Sequence, residues 1–336
     1  MAADTGGEIN PDVTTEDFAP LVWMCDSRVV YDDEWQPGTT PGEKLIERQQ
    51  NYAFEGESIK WKVLVMDKNG VEKIQDVFAT VGSGQGAGND IEVNCNKIGG
   101  QSEKIPESCN ARIGEEEIDD FDSDIMEFYE CTLNVETADS MYGEQWITVE
   151  AMDIDGLSGT MDENEYWFLN PKIALTIQGD LTFEDVRPGT TAYSDTILIG
   201  NDDDGAGTGV RLEMYIAGTN FFDSSSSGAM CPDSNVLELE NFRYFATNGY
   251  SSTANVGGVG PYNIDSEGYS EIPYGDQINE AKEIIGTEGY STHIANNVGN
   301  VLTPGSEMAL TFRLDLPEPC NGDFDTGSIY FWGEAI

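Results

Sequence analysis

Apolar and polar positions alternate with a period of two along most of this chain, and that period predicts strands. Leu21-Val22-Trp23-Met24 and Arg28-Val29-Val30-Tyr31 are short apolar runs behind a polar stretch that holds Pro11 and Pro20. From Asn51 the alternation is regular: Ile59, Trp61, Val63 and Val65 share one face, with Lys60, Lys62 and Leu64 between them. Asp67-Lys68-Asn69-Gly70 closes this run and Ile74, Val77, Ala79 and Val81 follow, so the Asn-Gly step predicts a hairpin. Further strands are predicted at Ile91–Val93, Phe128–Val135, Trp146–Ala151 and Tyr166–Leu169, with a turn at Asp153-Ile154-Asp155-Gly156.

The second half repeats the character without a residue-level repeat. Ile173–Ile177, Thr196–Asn201, Val210–Ile216, Met308–Leu316 and Ser328–Trp332 read as strands, the last two as a closing pair. Ile278, Ala281, Ile284 and Ile285 recur at helical spacing behind Asp276, a side chain suited to an N-cap, which predicts one short helix. Short strands in close succession, scarce helix and 37 glycines predict an all-β chain of two antiparallel β-sandwich domains. Proline resists a continuing ladder, so Asn170-Pro171 is the expected junction. The expected organisation is an arm over 1–20, a first sandwich over 21–170 with an acidic insertion at 96–124, and a second over 171–336 with a long insertion at 217–297.

Composition narrows the function. The 336 residues hold 63 Asp and Glu against 16 Lys and Arg, a formal charge of −47. Such a surface repels phosphate backbones and anionic headgroups, which argues against nucleic-acid partners and membrane-surface docking. No apolar run approaches the roughly 18 residues of a membrane-spanning helix, so direct membrane insertion is not expected. Apolar residues are 39% of the chain, enough to build cores. Most of the carboxylates are expected to serve solvation, in high salt or a divalent-rich medium.

Six cysteines, Cys25, Cys95, Cys109, Cys131, Cys231 and Cys320, form no CxxC pair and have one histidine for company, so zinc patterns are absent. Their even number at wide spacing fits disulfides and an oxidising, extracellular setting. A division near residue 170 leaves Cys231 only Cys320 as partner. The first four allow three connectivities, of which Cys95–Cys109 with Cys25–Cys131 is the favoured one. Met1-Ala2-Ala3-Asp4 has no basic and apolar leader, and the chain is expected to be a secreted protein whose signal peptide has been removed.

Little of the chain points to catalysis. His293 has no nucleophile motif beside it. Gly82-Ser83-Gly84-Gln85-Gly86-Ala87-Gly88 matches neither phosphate-binding glycine pattern and reads as a plain loop. With 63 acids, no carboxylate pair is informative about hydrolysis. Ca²⁺ is the ligand that the composition favours, since it takes hard oxygens from short Asp/Asn/Gly turns. The candidate ligands are Asp202, Asp203 and Asp204 before Gly205, and Asp153 and Asp155 with Asp162. The cluster from Glu115 to Asp124 reads as a solvated loop. The strand Leu21-Val22-Trp23-Met24 is a candidate assembly element, able to complete the open sheet edge of a neighbour. Tyr250, Tyr262, Tyr269, Tyr274 and Tyr290, set among Gly, Ser and Asn, suit an adaptable contact surface for glycans.

Tyr52-Ala53-Phe54-Glu55-Gly56-Glu57, Asp155-Gly156 and Asn170-Pro171 give the first half a resemblance to immunoglobulin-like domains of prokaryotic surface proteins, without their tryptophan–disulfide signature. Phe183-Glu184-Asp185-Val186-Arg187-Pro188-Gly189 before Ile197–Asn201, and Val301-Leu302-Thr303-Pro304-Gly305 before Met308–Leu314, are similar to phrases of the TasA/camelysin-like matrix and filament proteins. These resemblances imply Ig-like and jelly-roll-like sandwiches in a cell-surface layer or extracellular filament, of S-layer type and of archaeal source, with no catalytic residues. The expectation is a non-enzymatic surface protein that assembles with itself, helped by Ca²⁺; the alternative is an adhesin or glycan-binding module.

Overall fold

The computed structural model describes residues 11–31, 51–99, 105–106, 109, 120–162, 167–202, 210–232, 234–255, 263–286 and 299–336. Its strands are β1 (Leu21–Tyr31), β2 (Tyr52–Ala53), β3 (Ser58–Met66), β4 (Ile74–Gly82), β5 (Ile91–Lys97), β6 (Met126–Asn134), β7 (Gly143–Asp153), β8 (Ser158–Asp162) and β9 (Trp167–Leu169). The second half continues with β10 (Leu175–Gln178), β11 (Thr191–Tyr193), β12 (Ile197–Asn201), β13 (Leu212–Gly218), β14 (Phe221–Phe222), β15 (Val236–Leu237) and β16 (Phe242–Asn248). Then come β17 (Ser251–Ser252), β18 (Ser270–Glu271), β19 (Lys282–Glu283), β20 (Val301–Leu302), β21 (Glu307–Asp315) and β22 (Ile329–Ala335). The fold is all-β, as the periodicity predicts.

Contacts divide the chain into two compact units that are discontinuous in sequence. The first comprises Met1–Val29, Ile59–Leu133 and Glu144–Tyr166; the second comprises Val30–Ser58, Asn134–Gly143 and Trp167–Ile336. The last change of unit along the chain falls between Tyr166 and Trp167, just before the predicted junction at Asn170-Pro171. Asn170, at φ 51°, is a knot inside the second unit. Its side-chain amide donates to the carbonyls of Glu136 (2.8 Å) and Met141 (2.6 Å), while its Oδ1 accepts from the Glu55 amide (2.6 Å). Those bonds draw segments 51–58 and 134–143 to the second unit. There β2 and β9 pair in parallel.

In the first unit the ladder runs β1-β3-β6-β5-β4-β7, with β8 on β7. The runs predicted as a hairpin, β3 and β4, are thus separated by two strands. The Asp67–Gly70 segment is held to the entry of β6 instead: the Asp67 amide donates to Ile125 O and the Val71 amide to Asp124 O, both at 2.8 Å. Gly70 (φ 127°) lets the chain turn that corner, a conformation that side chains with a Cβ resist. The glycine-rich 82–88 loop makes the real hairpin, β4–β5, where Asn89 Nδ2 caps the carbonyls of Gly84 and Gly86. Strand β3 is buried on both faces: Ile59, Trp61, Val63 and Val65 on one, Leu64 and Met66 on the other, where Trp23, Met126 and Phe128 meet them. Each such side chain contributes roughly 1.5–3 kcal/mol by leaving water. The candidate assembly strand is part of this arrangement. Val22, Trp23 and Met24 are buried in β1, which pairs with β3 of its own unit, so Leu21–Met24 is not a free arm.

The disulfides correct the favoured pairing. Cys25 bonds Cys109 and Cys95 bonds Cys131. Cys95 and Cys131 stand directly opposite in the β5–β6 register, a bridge between neighbouring strands of one sheet rather than across a sandwich. Cys109 is buried with Cys25 in the Trp23 cluster, where it tethers the 96–124 insertion to β1. Cys231 bonds Cys320 in the second unit. Closing loops of 84, 36 and 89 residues, each bridge is worth roughly 4 kcal/mol through the unfolded chain.

The second unit is a sandwich of unequal sheets. One has the order β10-β12-β21-β16-β17, with β11 on β21 and β18 on β16; the other has β13 at its centre, flanked by β22 on one side and β19 and β20 on the other. Ile197 and Ile199, Met308, Leu310 and Phe312, and Phe242 and Tyr244 face Leu212, Met214 and Ile216 across the core. The closing pair of the sequence, β21 and β22, lies in opposite sheets. The expected helix is a single 3₁₀ turn, Ile278–Glu280, with no side-chain cap; Lys282–Glu283 then forms β19, and Ile284 and Ile285 are buried in the core.

Candidate functional site: an open seam in the second sandwich

Strand β10 ends one sheet of the second unit and β22 ends the other, and among the described residues neither pairs on its outer side. Between these two edges the sandwich is open. A groove of about 370 Å³ runs there, lined by Ile177, Leu181, Ile197, Phe221, Phe324 and Phe331, with Phe312 of the core at its floor. Ile177 is 53% exposed although it sits in a strand, which marks the place where the sheet ends without cover. Asp180, Asp325 and Ser328 supply the polar part of the lining.

The rim beside β22 is braced from three directions. Phe222 and Thr326 form a bridge, as do Met230 and Asn321, and the Cys231–Cys320 bond closes behind them. Asp325 accepts from the Ser224 amide (2.8 Å) and hydroxyl (2.6 Å), bonds that hold its carboxyl below the usual carboxylate range. Asp223 gathers the adjoining serine loop: its carboxylate accepts from the Ser225 hydroxyl and amide, the Ser227 hydroxyl, and the amides of Gly228 and Ala229. With the Ser225 hydroxyl as the largest cause, these bonds push the Asp223 carboxyl far down. The serine run Ser224–Ser227 is thus held as a preformed wall. The groove offers an apolar floor between two strand edges, a geometry suited to an extended peptide that adds a strand and buries alternate side chains.

The residues singled out by sequence fare differently. Asp153 Oδ1 accepts from the amides of Asp155 (2.9 Å) and Leu157 (2.7 Å), capping the β7–β8 turn, and Asp155 Oδ2 pairs with Lys73 Nζ at 2.8 Å. Asp162 lies in β8 opposite Thr148. Asp202 is exposed at the end of β12, and Asp203 and Asp204 fall outside the described residues. No three His, Cys, Asp or Glu side chains converge as metal ligands among the described residues. Tyr250 (85%) and Tyr274 (66%) are exposed, whereas Tyr269 packs on Tyr193, Phe245 and Arg313. Tyr262, Tyr290 and His293 lie outside the described residues. Sequence reasoning missed the seam, because its lining comes from five separate stretches of the chain and only their sheet order reveals it.

No known family profile matches the chain. An uncharacterized protein of Methanocaldococcus jannaschii is 23% identical over 354 aligned positions, covering 99% of this chain and 88% of that one. Among solved structures, the BspA_C_mut chain aligns over 96% of this chain and 97% of its own at 9% identity and a TM-score of 0.35. The C-terminal domain of the Streptococcus agalactiae AgI/II polypeptide BspA covers 94% and 97% at 10% identity and a TM-score of 0.28. Overlaps this weak do not establish a common fold. No helix among the described residues is long and apolar enough to cross a membrane.

Proposed function

We propose that this chain is a non-enzymatic, secreted structural protein of the cell surface, which associates with copies of itself into a layer or filament. The open seam between β10 and β22 carries the reading, since two strand edges that no described residue pairs, beside an apolar groove, suit a strand from another molecule. The three disulfides fit an oxidising exterior. At −47, two copies repel each other, and divalent cations such as Ca²⁺ offset that repulsion during packing. A glycan-binding or adhesin role is the second reading, favoured by the exposed rings of Tyr250 and Tyr274. Negative-stain microscopy of the purified protein with and without millimolar calcium separates the two. Sheets or fibres in the wild type, lost in Ile177→Asp, support assembly through the seam. Monomers under every condition that bind a glycan array would favour the second reading.

A further inference from the structure

Two acidic turns meet at one end of the first unit. Asp67 opens the corner between β3 and β4, and Asp153 opens the turn between β7 and β8. Main-chain bonds link them stepwise: the Gly70 amide donates to Asp67 O, the Lys73 amide to Gly70 O, and the Ile154 amide to Lys73 O, all between 2.9 and 3.0 Å. Each aspartate spends Oδ1 on its own turn, Asp67 accepting from the Asn69 amide at 2.8 Å. The second oxygen of Asp67 is the anomaly. Asp67 is fully buried, and its Oδ2 has no hydrogen-bond partner among the described residues. A buried carboxylate oxygen in that condition is a rare and unfavourable arrangement, and it calls for a missing ligand or a proton. Lys73 is a cation that acts on Asp67, and its ammonium is engaged by Asp155 at 2.8 Å. Asp153 and Asp155 add two further negative charges to the surroundings of Asp67. Burial, with Asp153 and Asp155 adding to it, raises the Asp67 carboxyl against the pull of the Asn69 amide and Lys73.

We propose that Asp67 Oδ2 and Asp153 bind a divalent cation between these two turns, with main-chain carbonyls and water completing its shell. Two carboxylates and neutral oxygens are an ordinary complement for such an ion, which needs no third acid. The site uses residues of one unit alone, so it stands apart from assembly. It also differs from the loop expected from sequence, where Asp155 and Asp162 were the companions of Asp153.

The test is thermal unfolding of the full chain in chelator and in calcium, in high monovalent salt so that general screening is already saturated. Calcium at a hundredfold excess over its Kd is expected to raise the wild-type Tm by about 5–10 °C. Asp67→Asn keeps the Oδ1 acceptor of the turn but removes the charge; it is expected to lose the calcium response and to unfold no earlier than wild type in chelator. Asp202→Asn is expected to respond as wild type does. If Asp67→Asn fails to fold, Asp153→Asn, which also keeps its turn acceptor, is read in the same way. A wild-type Tm that calcium does not move, or an equal response in Asp67→Asn, would overturn the site and leave a proton on Asp67 as the explanation of the orphan oxygen.

Discussion

Lys282 extends from β19 towards the opposite sheet, with Nζ 2.7 Å from Ser270 Oγ and 5.4 Å above the centre of the Tyr244 ring. Burial pushes its ammonium down to about 7; Glu271 opposes that shift and Arg243 adds to it. The sign follows from proton binding. Between about pH 7 and 10 the unfolded chain holds a proton on this lysine that the folded chain has lost, so stability rises with pH across that window. Lys282→Met is expected to flatten this rise, and to make the protein more stable than wild type at pH 7, in denaturant unfolding measured from pH 6.5 to 9.5. Sequence reasoning could not find this residue. Ile278, Ala281 and Ile284 suggested a helix, whereas Lys282 lies in a strand whose register places it opposite Ile216. Asp153 shows the same limit from the other side: Asp-x-Asp-Gly suggested a loop with Asp155 and Asp162 as its companions, whereas the folded chain has Asp153 Oδ1 capping its own turn by accepting from the amides of Asp155 and Leu157.

At the scale of elements, period-two alternation located nearly every long strand, because a half-buried strand must alternate to face its core. Strand neighbours were another matter. The Asn69-Gly70 step has hairpin chemistry, yet Asn69 spends its side chain on the arm before β1, with Oδ1 accepting from the Phe18 amide and Nδ2 donating to Glu16 O. Those long-range bonds, invisible in a local pattern, decide that the chain turns a corner. Cysteine pairing was mistaken for the same reason, since Cys95 and Cys131 meet only once β5 and β6 are known to be adjacent. The short strand β8 went unseen because Gly159 interrupts its pattern. That glycine has a physical role: a Cβ there would lie 1.7 Å from the Pro20 carbonyl oxygen, where the chain enters β1. Gly159→Ala is expected to destabilise the protein by about 1–3 kcal/mol, as overpacking of a rigid backbone contact does, in equilibrium urea unfolding. An unchanged midpoint would contradict the close approach.

The whole molecule joins a strongly negative surface to two units held by three disulfides. Surface class and fold class were legible from composition and periodicity, since both depend on sums over many residues. The seam was not, since its two edges, β10 and β22, lie far apart in sequence and only the strand pairing shows that each ends a sheet. Hydrogen–deuterium exchange on assembled and dispersed protein tests the central claim, that copies meet at this seam. The account predicts that amides of Ile329–Ala335 and Leu175–Gln178 become protected on assembly while β3 and β6 exchange alike in both states. Protection confined to other segments, with β10 and β22 unchanged, would contradict it.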